Sequence, residues 1–238
     1  MTIAAKLTFY LSVPHQCGYF RDRTATTLFV DPSVTLSVAD YSALIQHGFR
    51  RSGQMVYRPH CEHCHACVPV RIPVREFKPD RSQRRTLQRN NDLELREVAA
   101  EFREEHFALY QRYQQERHTE GGMDDHGPDQ YRGFLFGGTA DTRLYEFRFD
   151  TGQLVAVAAM DALQDGYSAV YTFYDPRHSD RGPGVFAILK QIELTRARGL
   201  DYLYLGYWIE ASAKMRYKTR YQPLEMFDGG QWSRIVNK

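Results

Sequence analysis

Residues Arg143 to Tyr207 read RLYEFRFDTGQLVAVAAMDALQDGYSAVYTFYDPRHSDRGPGVFAILKQIELTRARGLDYLYLGY. Three runs in it, Arg143 to Phe149, Leu154 to Met160 and Tyr167 to Phe173, are strand-like and separated by short turn segments, which predicts an antiparallel meander. The turn Asp175-Pro176 then leads through Arg181-Gly182-Pro183-Gly184 into Val185 to Arg198, where Phe186, Leu189, Ile192 and Glu193 recur at helical spacing. Pro183 suits a first helical turn, where its missing N–H costs nothing. Tyr202 to Tyr207 returns as a strand. Strand, strand, strand, glycine turn, helix, strand is the order of a mixed α+β unit.

Upstream of this unit, Glu101 to His118 reads as a charged amphipathic helix with Phe102, Leu109, Tyr110 and Tyr113 on or near its buried side. Gly121-Gly122 and Gly127-Pro128 punctuate a loop before another short helix. Nearer the N-terminus, Leu7 to Val13 and Thr24 to Val30 read as strands, the second stopped by Asp31-Pro32. Ser37 can cap a short helix with Asp40 three residues on, Leu44 and Ile45 supply its apolar side, and Gly48 sits where a C-terminal glycine belongs. Phe49 to Pro59 carries Arg50, Arg51 and Arg58 toward a cluster of cysteines. Val68 to Val74 contains Pro69 and Pro73, which predicts an edge strand at best, and Lys78 to Asn91 reads as a basic helix or loop. The expected organisation is α+β: a cysteine-bearing N-terminal region, residues 1–98, packed on a C-terminal domain, residues 99–238.

With 238 residues and 42% hydrophobic composition the chain can bury a real core, which excludes a disordered tail. Its N-terminus has no secretory pattern and no segment approaches ~20 uninterrupted apolar residues, so a soluble cytoplasmic protein without membrane association is expected. Formal charge is only +2, so any nucleic-acid surface must come from local clusters of Lys and Arg.

Three features carry chemistry. Cys61, Cys64 and Cys67 fall within seven residues, interleaved by His60, His63 and His65, with Cys17 far upstream. Such spacing suits zinc or buried thiols, but a second clear ligand pair is missing, and no metal is expected. The run Lys78, Arg81, Arg84, Arg85, Arg89 would form a phosphate-facing stripe if helical, or else a solvated basic face. Gly206-Tyr207-Trp208 followed by Lys214-Met215-Arg216-Tyr217-Lys218 interleaves aromatics with cations, which can stack a terminal base and hold its phosphate, though core aromatics beside surface lysines look similar.

The strand–glycine turn–helix order resembles the core of the GNAT acyltransferase fold, in which the turn offers backbone N–H groups to an anion at a helix N-terminus. On that resemblance Ser179, Arg181, Gly182 and Gly184 form the anion-facing turn. Cys17-Gly18-Tyr19, Gly48-Phe49-Arg50-Arg51-Ser52-Gly53, Tyr57-Arg58-Pro59, the cysteine triplet, Ser82-Gln83-Arg84-Arg85 and Lys214-Met215-Arg216-Tyr217-Lys218 together resemble the arginyl-tRNA–protein transferase family, nearly end to end. The short bacterial branch, the aspartate/glutamate leucyltransferases, is the nearest pattern.

That resemblance implies a GNAT-like C-terminal region and transfer of leucine from leucyl-tRNA to the N-terminal amine of proteins starting with Asp or Glu, marking them for N-end-rule degradation. Arginine is the alternative donor. Eukaryotic relatives hold a metal or cluster near an N-terminal cysteine pair, where this chain has Phe20; zinc or an iron–sulfur cluster would here fall to Cys17, Cys61, Cys64 and Cys67. Expected roles are Tyr171, Tyr207, Lys214 and Tyr217 for orienting the amine and managing the oxyanion and leaving oxygen. Arg50 and Arg51, with Arg71 in reserve, are expected to grip the acceptor carboxylate. Arg81, Arg84, Arg85, Arg89, Ser179, Arg181, Gly182, Gly184 and Lys218 are expected to contact tRNA. Two rivals stand against this: a GNAT enzyme using acyl-CoA leaves the basic run and cysteines unexplained, and a non-catalytic RNA-binding module leaves the acyltransferase-like half unexplained.

Overall fold

Aromatic and β-branched runs between residues 7 and 59 form short strands. β1 (Phe9–Leu11) is followed by a small hairpin, β2 (His15–Gln16) and β3 (Thr24–Ala25), and by β4 (Thr27–Val30). Ser37 caps α1 (Val38–Gln46), its Oγ accepting from the Asp40 amide at 3.1 Å, and Gly48 at φ 82° ends the turn that follows. β5 (Arg50–Ser52) and β6 (Met55–Pro59) complete a four-stranded sheet ordered β1-β4-β6-β5. The computed structural model describes residues 7–117, 127–138 and 140–235; His118 and the Gly121-Gly122 loop lie outside them.

β7 (Val68–Pro73) leaves this sheet for the larger one. Asp80 then caps α2 (Arg81–Arg89) through a reciprocal box with Gln83, which makes the basic run a helix. β8 (Leu93–Val98), α3 (Glu104–Arg117) and α4 (Pro128–Phe136) lead into the expected meander, β9 (Thr142–Phe149), β10 (Leu154–Ala162) and β11 (Gly166–Tyr174). A 3-10 turn, Pro176–Arg181, precedes α5 (Pro183–Ala197) and β12 (Tyr202–Trp208). A second 3-10 segment, Ala213–Arg220, precedes β13 (Glu225–Phe227) and β14 (Trp232–Arg234).

The larger sheet runs β14-β13-β7-β12-β11-β10-β9-β8, with β11 and β12 its one parallel neighbour pair. This is the GNAT-like order, strand, helix, parallel strand, extended at both ends. The sheet takes strands from both sides of residue 98, so that expected boundary does not divide it. Nor is β7 an edge. It lies between β12 and β13, and its prolines are tolerated because the β13 ladder covers only Val70 and Arg71, between them.

Three apolar clusters fill the layers. Val155, Met160 and Leu203 pack with Phe186 and Ile192 of α5 on one face, and Val157 and Phe173 pack with Leu109 of α3 and Tyr131 of α4 on the other. A third cluster joins Leu44 and Ile45 of α1 to Tyr204 of β12.

Between the two sheets lies a buried ion pair. Arg51 on β5 is 3% exposed and grips Asp161 of β10, 0% exposed, through Nε at 2.7 Å and Nη2 at 2.9 Å. Its remaining donors go to the carbonyls of Gly53 (3.0 Å), Gly137 (3.1 Å) and Leu135 (3.2 Å) and to Thr142 Oγ1. Tyr41 of α1 donates to Asp161 at 2.8 Å. With its fork spent inside the protein, Arg51 does not read a substrate carboxylate. Deleting one partner of such a pair strands the other charge and costs ~3–5 kcal/mol, whereas losing one hydrogen bond costs ~1 kcal/mol. Arg51→Met should therefore lower the urea midpoint far more than Tyr41→Phe; similar midpoints for the two variants would contradict a joining role for the pair.

Candidate functional site

β11 and β12 pair for three residues, Gly166 with Tyr202, Tyr167 with Leu203 and Ser168 with Tyr204, and then no further pairing joins them. Gly166 is what lets them meet, because a Cβ there would stand 2.0 Å from the Tyr202 carbonyl oxygen. Past the fork β12 bulges: its register against β7 shifts between Tyr204 and Gly206, and Gly206 takes φ 71°. Arg50 lies against that glycine, 3.4 Å from where a Cβ would be, with its guanidinium 6.0 Å from the Tyr207 ring centre. Fork, bulge and Arg50 together define the candidate site.

Arg50 is half-buried and among the described residues has neither a carboxylate nor a hydrogen-bond acceptor. Arg71 differs. Its Nε bonds Glu225 at 2.7 Å, its Nη1 donates to Tyr204 at 3.2 Å, and its plane lies between Tyr202 and Trp232, 3.6 and 4.4 Å from the ring centres. That satisfied arginine fastens β7 to β13 and is corrected from substrate ligand to structural clamp. Of the three arginines expected to hold a carboxylate, Arg50 alone has its donors available.

The aromatic candidates divide as well. Tyr207 is 2% exposed and its hydroxyl donates to the Gly48 carbonyl at 2.9 Å, with the Tyr57 carbonyl at 3.2 Å, so its single proton is committed to tying β12 to the small sheet. Tyr171 packs edge-on against Phe134 at 5.1 Å and accepts from Gln114 at 3.3 Å, and burial pushes its pKa up. Tyr217, 40% exposed, and Lys214 stand on the 3-10 segment Ala213–Arg220. Lys218 does not face phosphate from the surface. It is 5% exposed, its ammonium donates to the Tyr207 carbonyl, and burial, then the nearby Arg50 charge, push its pKa down to about 7.

The expected tRNA contacts gather on another edge of the same unit. Arg81, Arg84, Arg85 and Arg89 are all exposed on α2, Arg84 bonding the Pro79 carbonyl and Arg89 the Asp180 carbonyl. The glycine turn touches this helix: Asn90 donates to the Arg181 carbonyl at 2.9 Å, and Gly182, at φ 69°, lies beside Thr86. Ser179 is exposed and Gly184 faces the Tyr174 ring. Arg181 is corrected: it bonds Asp92, the Arg89 carbonyl and Asn90 and covers the Phe149 ring, which leaves it to brace the turn.

Cys17, Cys61, Cys64 and Cys67 line one cavity of about 120 Å³ with Tyr19, Tyr57 and Tyr207, next to the candidate site. Among the described residues no three His, Cys, Asp or Glu side chains are arranged to hold a metal ion, and Arg23 donates to Cys64 Sγ at 3.2 Å. With Cys64 Sγ taken by the Arg23 guanidinium, the four thiols as placed do not make a ligand set. The Ala66 amide and Arg23 lower the Cys64 pKa; burial and the neighbouring thiols push Cys67 up to about 11.

Two family descriptions match the chain: "Arginine-tRNA-protein transferase, N terminus" over residues 15–85 and "Arginine-tRNA-protein transferase, C terminus" over residues 105–228. An aspartate/glutamate leucyltransferase of Stenotrophomonas maltophilia (strain K279a) is 52% identical over 237 residues, covering 98% of this chain and 94% of that protein. Its counterpart in Nitrosococcus oceani is 51% identical over 233 residues, covering 98% of both. A conserved protein of unknown function from Bacteroides thetaiotaomicron shares the fold, with a TM-score of 0.51 at 14% identity over 67% of this chain and 57% of that one. FemX aligns at a TM-score of 0.49 and 9% identity over 80% of this chain and 65% of that one.

The thiols give this region a direct chemical readout, because thiolate rather than thiol is the nucleophile. Brief iodoacetamide treatment at neutral pH, followed by peptide mass spectrometry, should label Cys64 before Cys67. Arg23→Gln should slow Cys64, and a chain that alkylates first at Cys67 would contradict this electrostatic assignment.

Proposed function

Because this chain belongs to the arginine-tRNA-protein transferase family, we propose that it moves leucine from leucyl-tRNA to the N-terminal amine of proteins beginning with aspartate or glutamate. The observation that carries this reading is identity of 50% or more to aspartate/glutamate leucyltransferases over 98% of the chain. Within the structure it is supported by Arg50, a guanidinium with no carboxylate or hydrogen-bond acceptor among the described residues, beside a forked sheet.

An aminoacyl ester on a tRNA 3′ ribose is already activated. The acceptor amine, with an ordinary pKa of ~7.7–8.0, is partly neutral near pH 7, attacks the ester carbonyl, and the tetrahedral intermediate expels the ribose oxygen. The enzyme's task is to hold amine and ester together, stabilise the oxyanion and protonate that oxygen. Tyr217 and Lys214, both exposed on the 3-10 segment that follows β12, are the groups assigned to the proton and the oxyanion. Tyr171 and Tyr207, whose hydroxyls are held internally, shape the walls. The exposed arginines of α2 and the glycine turn take the tRNA phosphates. No helix among the described residues is long and apolar enough to cross a membrane, in keeping with a cytoplasmic enzyme feeding protein degradation.

A panel of individually charged tRNAs and labelled acetyl-CoA, each with a Glu-starting peptide, tests the donor. Leucine transfer from leucyl-tRNA is expected; transfer from arginyl-tRNA or acetyl-CoA instead would overturn the assignment. tRNA binding should also weaken steeply with salt. Neutralising Arg81, Arg84 and Arg85 together should flatten the log–log slope by about 2 to 3, since each phosphate contact contributes ~0.7–0.9. An unchanged slope would return that helix to an ordinary solvated face.

A further inference from the structure

We infer that Lys218 is the second cation of the acceptor pocket and closes with Arg50 on the side-chain carboxylate of the N-terminal Asp or Glu; this rests on the leucyltransferase reading above. The argument begins with charge balance. A buried cation is retained at low cost only with a carboxylate beside it. Where this chain buries arginine for structure it follows that rule, Arg51 on Asp161 and Arg71 on Glu225. Lys218, 5% exposed, has no carboxylate within 4.0 Å among the described residues, and neither does Arg50.

The two cations are neighbours. Arg50 rests against Gly206 and Lys218 bonds the carbonyl of Tyr207, so both converge on consecutive residues of the β12 bulge from opposite elements, β5 and the 3-10 segment. Like charges so placed repel, and the Lys218 pKa is depressed first by burial and then by that repulsion. An anion beside both offsets that repulsion and gives the buried ammonium a counter-charge.

A carboxylate fits better than a phosphate. Lys218 is enclosed, with its ammonium on the Tyr207 carbonyl, a setting for one small anion, whereas exposed arginines suited to backbone phosphates lie on α2. Arg50 supplies a planar fork and Lys218 a compact point charge, so the pair can hold both carboxylate oxygens while leaving the α-amine free to attack. A neutral Gln or Asn side chain would leave two cations uncompensated, which makes the clamp discriminating as well as adhesive.

The test measures leucine transfer to Glu- and Gln-starting peptides by the parent, Lys218→Met, Lys218→Gln and Lys218→Arg. Both neutral variants should raise KM for the Glu peptide about tenfold to hundredfold with a smaller change in kcat, and collapse the Glu/Gln preference. Lys218→Arg should retain part of it. Lys218→Gln, whose amide can still donate to the Tyr207 carbonyl, should melt no lower than the parent, because removing an uncompensated buried charge relieves strain. Leucyl-tRNA affinity and its salt slope should be unchanged. Retained Glu/Gln preference in the two neutral variants would overturn the inference, as would a tRNA salt slope flattened by about one contact, which would make Lys218 a phosphate ligand. A parent enzyme that uses Glu and Gln peptides equally would instead sink the acceptor reading on which the inference rests.

Discussion

The Arg51–Asp161 pair is the contact on which the rest of this molecule depends. It lies at the junction of the small sheet and the large one, and its donors reach the β5–β6 turn, β10, the end of α4 and Thr142 of β9 at once. A guanidinium can do this because its five donors point outward in one rigid plane. An apolar residue of similar volume would bury as well but would leave the carbonyls of Gly53, Leu135 and Gly137 without a donor. Fixing β5 there also fixes Arg50, the next residue back, over the bulge of β12. Adjacent strand residues point to opposite faces, so one arginine builds and its neighbour is presented.

Much of the architecture was legible in local chemistry. The meander, glycine turn, helix and returning strand are where their periodicity puts them, and α1 starts at Ser37 as its cap requires. The helical state of the basic run has a usable local signal, since Asp80 and Gln83 stand at capping-box spacing. Leu93-Glu94-Leu95 alternates as β8 does. β7 departs from the edge-strand expectation: its prolines argue against an interior strand, and the short ladder of β13 is what tolerates them.

The site was less legible, and for a physical reason. Arg50, Arg51 and Arg71 look alike in sequence. What separates them is whether a carboxylate arrives from 110 or 154 residues away, and no local pattern encodes that. Arg181 likewise finds Asp92 at a separation of 89 residues. Lys218 reads as one more surface cation in Lys214-Met215-Arg216-Tyr217-Lys218, but the 3-10 segment turns it inward. Folding thus divides a set of similar cations into those that are satisfied and hold the chain together and those that are left with charge to spend. Among the described residues the latter include an exposed stripe on α2 and, at the β12 bulge, half-buried Arg50 with buried Lys218. The first suits a polyanion, the second a single small anion.

That division is open to direct inspection. A crystal structure of the protein with a Glu-starting dipeptide and a non-hydrolysable leucyl-adenosine analogue would locate the acceptor carboxylate against the four arginines and lysines in question. The account predicts carboxylate oxygens at about 2.7–2.9 Å from both Arg50 and Lys218, with the α-amine directed at the leucyl carbonyl and the Arg51–Asp161 pair undisturbed. A dipeptide carboxylate bound away from this pair, or seated on Arg51 or Arg71 after their internal partners have let go, would contradict it.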